Sequence, residues 1–217
     1  MLKGIVFDLD GTLVDSLPVT LDGFNYAIEA LGRTRLTYTE IMAHFGLGED
    51  KIFEKLVGPE NSNQAYDLFK QYTQEHISQI PLHTGVDFLL EKIQRHQIPT
   101  SIVTGRSWHT TEVILRHHGI FDSFISIIAH DHVKKPKPSP EGIHLALEKM
   151  RLSPEEVFYV GDSTVDIQAC HSAGSHSIAA LWDSLAHKSA LEIHEPQHWA
   201  KDPLEVWRIW EEQILLT

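Results

Sequence analysis

Three short apolar runs in this chain end directly in residues able to do chemistry. Gly4-Ile5-Val6-Phe7 is followed by Asp8 and Asp10, Ser101-Ile102-Val103 by Thr104-Gly105-Arg106, and Val157-Phe158-Tyr159-Val160 by Gly161-Asp162 and then Asp166. Carboxylates gathered at one place repel one another, and a hard divalent cation with oxygen ligands relieves that repulsion. Mg²⁺ is the natural candidate, because it takes few protein ligands, keeps several waters and serves phosphate chemistry. The Thr104 hydroxyl and the free backbone N–H groups at the start of the next helix can hold phosphate oxygens. Arg106 either offers its guanidinium to an anionic substrate or begins a solvated helix, and the sequence leaves both open. A single acidic residue at a strand end more often caps a helix or solvates a loop, so the argument rests on the sites acting together.

They act together only if the elements bring them to one edge. The runs 4–7, 101–103, 124–129, 157–160 and 177–181 are rich in Val, Ile and Phe and read as buried strands. Between them Val86, Leu89, Leu90 and Ile93 recur at helical spacing, as do Val113, Ile114 and His117, then Ile143, Leu145, Ala146 and Met150, and finally Ile167 with Cys170. Alternating strand and helix predict an α/β fold, a doubly wound parallel sheet with a ligand site beyond the carboxyl ends of its strands. The stretch from Asp15 to His83 breaks the rhythm with helical patterns only, among them Ala27, Ile28 and Leu31, then Ile52, Phe53 and Leu56, then Tyr66, Phe69 and Tyr72. It predicts a helical domain over 15–84 inserted into a core of 1–14 and 85–217. A last amphipathic helix, Pro203 to Leu215, carries Val206, Trp207, Trp210 and Ile214 toward the core.

Composition narrows the classes. At 217 residues the chain can bury a sizeable core without staples, and one cysteine, Cys170, excludes an internal disulfide and suits a reducing cytoplasm. The net charge of −12 repels a phosphate backbone and argues against nucleic-acid binding. The absence of a membrane-length apolar stretch predicts a soluble, cytoplasmic protein.

The string Phe7-Asp8-Leu9-Asp10-Gly11-Thr12-Leu13-Val14-Asp15-Ser16 resembles the first motif of the haloacid dehalogenase-like hydrolase superfamily in its phosphatase form. Ile102-Val103-Thr104-Gly105 is similar to the second motif, Lys134 to Pro140 contains the third, and Val160-Gly161-Asp162-Ser163-Thr164-Val165-Asp166 matches the fourth. The insert looks like that family's small helical cap, in the phosphoglycolate phosphatase-like branch. The resemblance implies a Mg²⁺-dependent phosphatase acting on a small phosphorylated metabolite, phosphoglycolate-like or pyrophosphate. Asp8 would be the nucleophile that becomes an aspartyl-phosphate, and Asp10 the general acid and then base. Thr104, Gly105 and a lysine would bind the phosphoryl oxygens, while Asp8, the backbone carbonyl of Asp10 and Asp162 would hold the ion, with Asp166 behind them. A sugar phosphomutase of the same superfamily shares every core motif, and a non-catalytic binding module could keep the fold, although no motif residue is lost.

Two registers of Lys-Pro-x-Pro overlap, beginning at Lys135 and at Lys137. Ser139-Pro140-Glu141 is a strong helix start, with Ser as the cap and Pro at the first helical position. The family lysine stands just before such a helix, which selects Lys137 and leaves Lys135 as an exposed loop residue. The string His194-Glu195-Pro196-Gln197-His198 matches a zinc protease pattern literally, but that pattern needs a continuous helix and Pro196 interrupts it. Gly46-Leu47-Gly48 reads as a helix break that could shape a loop facing the substrate.

Overall fold

The computed structural model describes residues 1–215. In chain order the strands are β1 Gly4–Phe7, β2 Thr100–Val103, β3 Ser126–Ile128, β4 Val157–Gly161, β5 His176–Ala180 and β6 His198–Ala200. The helices are α1 Leu17–Ala30, α2 Tyr38–Met42, α3 Glu49–Val57, α4 Pro59–Glu75, α5 Val86–Arg95, α6 Trp108–His117, α7 Glu141–Met150, α8 Thr164–Ala173, α9 Lys188–Glu192 and α10 Pro203–Leu215. All six strands are parallel in the order β3-β2-β1-β4-β5-β6, so the chain reverses direction across the sheet at β1. Because successive strand residues point to opposite faces, Ile5 and Phe7 pack with α5, α6 and α10 on one side, and Val6 with α7 and α8 on the other. This is the doubly wound sheet with a helical insert that the alternation predicts.

Register places the chemistry. Phe7 is opposite Ile102 on one side and Val160 on the other, so the residues that follow all three strands leave the sheet at one level. The insert, α1 to α4, has a hydrophobic cluster of its own around Phe24, whose ring centroid lies 4.7 Å from that of Phe53 and 4.8 Å from that of Phe69. The insert's outgoing and returning segments run side by side. Val14 and Leu82 form an antiparallel bridge, Asp15 N–H donates to the Pro81 carbonyl at 3.0 Å, and His83 N–H donates to that of Leu13 at 3.0 Å.

Several elements differ from the sequence reading. β3 covers 126–128 rather than 124–129, and β6 has no apolar run to announce it. It is a three-residue edge strand preceded by Gln197, whose side chain accepts from the Ser177 N–H at 2.6 Å and sets the pairing with β5. The zinc-like string therefore lies on no helix: Glu195 has a left-handed φ of 49° and His198 begins β6. Helix α7 starts one residue late, with Pro140 at the cap position, although Ser139 Oγ still accepts from the Glu141 N–H at 3.3 Å. On α10, Val206, Trp207 and Trp210 are buried but Ile214 remains 39% exposed, because the helix has run past the edge of the sheet's core.

Candidate active site

Asp8 leaves β1 with its N–H donating to the Val160 carbonyl at 2.9 Å, which fixes its backbone against β4. Its carboxylate, almost wholly buried, accepts from Lys137 Nζ at 2.7 Å. The same ammonium donates to Asp166 Oδ1 at 2.6 Å and reaches the Tyr159 hydroxyl and Val103 carbonyl at 3.3 Å each. Lys137 is thus held from below by Asp166 and presented to Asp8 above. Asp166 itself accepts from the Tyr159 hydroxyl at 2.9 Å and from Ser163 N–H at 3.1 Å, so its oxygens are committed within the protein. Burial tends to discharge the lysine, but Asp166 and Asp8 outweigh it and keep the ammonium firmly charged. Lys135, in contrast, is exposed, and its backbone N–H donates to Glu141 at 3.0 Å.

Burial pushes the Asp8 carboxyl up to about 7, with Lys137 pulling against it and the Asp166 and Asp10 charges adding to it. Asp162 is raised well above the usual carboxylate range, again first by burial and then by Asp166 and Asp8. Its Oδ1 accepts from the Thr12 hydroxyl at 3.2 Å. Asp8, Asp162 and Asp166 each offer an oxygen within 4.8 Å of the others. An oxygen-only donor set with too little positive charge fits a hard divalent cation, which would bring the raised Asp8 and Asp162 carboxyl pKa values down. Gly11, at φ 77°, makes the close approach possible, since a Cβ there would collide with the Asp162 carboxylate.

Asp10 lies apart from that cluster. Ser16, which precedes α1 without capping it, donates its hydroxyl to Asp10 Oδ1 instead. Arg106 donates from Nη2 at 2.7 Å and from Nε at 3.0 Å, and a further Nη2 bond at 2.7 Å goes to Thr20 Oγ1. Burial would raise the Asp10 pKa, but Arg106 and then Ser16 overcome it and hold the group below the usual range. Arg106 is 5% exposed, so it is neither a solvated helix start nor a free anion receptor. The carboxylates on either side of it, which the sequence could not pair with it, account for the difference.

The second of those carboxylates is Glu49, at the start of α3 in the insert. It meets Arg106 Nη1 at 3.4 Å, accepts from the Ser107 N–H at 3.1 Å and takes the Thr110 hydroxyl at 3.0 Å, so it caps α6 from across the cavity. Tyr66 Oη donates to Ser107 Oγ at 2.6 Å, and the Gly48 N–H donates to His130 Nε2 at 3.1 Å, completing the contact between insert and core. Sequence reasoning missed Glu49. Its only signal was an acidic residue directly behind Gly46-Leu47-Gly48, a loop that does line the cavity.

The cavity measures about 480 Å³ and its walls include Asp8, Asp10, Gly105, Arg106, Lys137 and Asp162. Thr104 is buried one step behind Gly105, bordering a smaller recess next to Lys137, and its Oγ1 accepts from the Arg106 N–H at 3.1 Å. Asp183, after β5, also reaches the cavity and pairs with His83 at 3.4 Å. Cys170 is buried, and burial pushes its thiol up to about 12, which leaves it inert.

A family profile described as haloacid dehalogenase-like hydrolase matches residues 5–180, a stretch that contains all four motif segments. The chain belongs to that family. The haloacid dehalogenase-like hydrolase relatives include phosphoglycolate phosphatase of Photobacterium profundum, 33% identical over 83% of this chain and 84% of that one. The enzyme of the same name from Vibrio vulnificus strain CMCP6 is 29% identical over 90% of each chain. Among solved structures, a hydrolase from Pseudomonas syringae covers 97% of this chain and 98% of its own at a TM-score of 0.82, and its 21% identity speaks for the fold alone. Among the described residues no helix is long and apolar enough to cross a membrane.

In this haloacid dehalogenase-like hydrolase, the Arg106 pairing makes a stability prediction. Removing one partner of a buried ion pair costs about 3–5 kcal/mol, and Arg106→Ala should fall near the lower end because Asp10 is partly open to solvent. In urea unfolding, Glu49→Gln should recover part of the loss in the double variant. An Arg106→Ala protein within about 0.5 kcal/mol of wild type, the range of a surface change, would show that the pairing carries no net stability.

Proposed function

We propose that this hydrolase is a Mg²⁺-dependent phosphatase that cleaves a small phosphate monoester through a phosphorylated Asp8. The observation that carries the reading is Lys137 Nζ bridging Asp8 and Asp166 at 2.7 and 2.6 Å at the base of a cavity that Asp10 and Asp162 also reach. The names of the relatives support phosphatase chemistry and make phosphoglycolate the first substrate to try.

In the first step an Asp8 carboxylate oxygen bonds to phosphorus, the ester P–O bond breaks, and its electron pair leaves on the alcohol oxygen, which takes a proton from Asp10. In the second step water bonds to phosphorus, Asp10 takes its proton, and the Asp8–phosphorus bond breaks to give inorganic phosphate and the free carboxylate. Asp10 rests ionised against Arg106, and a phosphate dianion beside it acts against Arg106 and raises its proton affinity. Lys137 and the Thr104–Gly105 turn supply donors to the phosphoryl oxygens. Asp8, the Asp10 backbone carbonyl and Asp162 would hold Mg²⁺, which when bound neutralises charge on those oxygens. Asp166 holds Lys137 and stays behind the ligands. Residues 15–84 act as a cap over the core formed by 1–14 and 85–217, with Glu49 joining the two.

Phosphate release from a panel of metabolite monoesters tests this. Turnover should need Mg²⁺, fall at least about 100-fold in excess chelator, the order of a lost electrostatic contribution to the transition state, and return when Mg²⁺ is restored. Undiminished turnover in chelator rejects the metal, and release from none of the esters rejects the phosphatase.

A further inference from the structure

Beyond the phosphate end, the cavity changes character. Leu17, Phe24, Met42, Phe45 and Leu47 from the insert face it, together with Leu185 from the segment after β5. Phe45 is 43% and Leu185 41% exposed, so both leave apolar surface uncovered beside the cavity rather than packing it away. The volume of about 480 Å³ lies in the range of roughly 300–1,000 Å³ typical of pockets for organic ligands.

The charges point the same way. The carboxylates of Asp8, Asp10, Glu49, Asp162 and Asp183 reach this cavity, against the two cations Arg106 and Lys137. Both cations are already spoken for: Lys137 by Asp8 and Asp166, Arg106 by Asp10 and Glu49. The remaining basic side chain on the wall, His187, is exposed. A phosphoryl group can take Lys137 and the metal. Among the described residues lining the cavity, no interior cation is left unpaired for a second anion on the same substrate, which would carry the cost of burying an uncompensated charge.

We infer that the site selects phosphate monoesters whose alcohol part is apolar and uncharged, and discriminates against substrates with a second anionic group. This rests on the phosphatase reading for its chemistry but not for its recognition, so binding and turnover are measured separately. Phosphoglycolate and isobutyl phosphate have nearly the same shape and differ by a carboxylate in place of an isopropyl group. With saturating Mg²⁺, kcat/KM for isobutyl phosphate should exceed that for phosphoglycolate at least tenfold. Across ethyl, butyl and hexyl phosphate it should rise about fourfold per methylene until the cavity is filled, the factor for one buried CH₂.

Calorimetry with non-hydrolysable phosphonates in the presence of Mg²⁺ provides the second arm. 3-Methylbutylphosphonate, which has no second anionic group, should bind more tightly than 3-phosphonopropionate. The reverse order, equal binding, or no binding of either overturns the inference whatever the turnover shows. So does a flat alkyl series or faster hydrolysis of phosphoglycolate. Retained binding preference with no hydrolysis of any ester overturns the phosphatase reading and leaves the recognition standing. Phe45→Arg, at an already exposed position, should move the ratio of phosphoglycolate to isobutyl phosphate turnover upward at least tenfold by supplying the missing cation. An unchanged ratio in a folded Phe45→Arg protein counts against the charge argument.

Discussion

Asp8→Asn should abolish turnover, by about 10⁴-fold or more as for other nucleophile removals, in a protein that remains folded. The amide has nearly the shape of the carboxylate but cannot attack phosphorus. Stability should not suffer, and the sign follows from the raised pKa. The Asp8 carboxyl titrates near 7 in the folded chain against 3.8 for the unfolded group, mainly because it is buried. Its protonated form therefore favours folding below pH 3.8, and that contribution is lost as the pH rises through about 7. In chelator at pH 8 the wild type carries this buried charge and Asp8→Asn does not, so the variant should melt no lower, with Asp166 still holding Lys137 at 2.6 Å. Phosphate release and thermal melting check the two halves. Wild-type turnover in the variant would move the nucleophile elsewhere.

The second large effect separates two lysines two positions apart. Lys137→Ala should lower kcat by at least about 10²–10³, the loss found for one donor to a developing oxyanion. It should also destabilise by about 3–5 kcal/mol, because Asp8 and Asp166 would then face each other without their shared cation. Lys135→Ala should stay within about 0.5 kcal/mol of wild type with little change in kcat, since its ammonium stands in solvent. Steady-state kinetics at saturating Mg²⁺ and urea midpoints decide between them. A larger kinetic loss at Lys135 would move the site by two residues.

What was legible in the sequence is what short-range pattern controls. Five strands are legible because buried parallel strands require unbroken apolar runs, and the site edge follows because three of those runs are succeeded by Asp8, by Thr104 and by Gly161-Asp162. The chain gave no comparable sign of β6, because only three residues, His198, Trp199 and Ala200, form it, too few for an apolar run, and its register is supported by Gln197–Ser177 bonds just before the strand. Arg106 and Glu49 were opaque for another reason. They are 57 residues apart, and their partnership exists only once the insert has docked on the core. Likewise Tyr159 reads as one more strand residue, and only the fold shows its hydroxyl between Lys137 and Asp166.

The paired segments around Val14 and Leu82 bear on how such a protein can be inherited. Strand β1 and its partner β2 are far apart in sequence, Ile5 being opposite Thr100. Yet the ends of the intervening insert are clamped together by a bridge and flanking hydrogen bonds. The clamp therefore closes the insert as a short hairpin would, and loop-closure entropy grows only slowly with what lies beyond it, although Val19 and Ile80 from the insert also pack into the core cluster. A shorter connection at this junction is expected to leave the register of β1 with β2 in place. A chain in which residues 16–80 are replaced by a two-residue turn should keep the parallel core, with near-UV circular dichroism and cooperative unfolding as the measures. Loss of both would show that the host sheet depends on its guest.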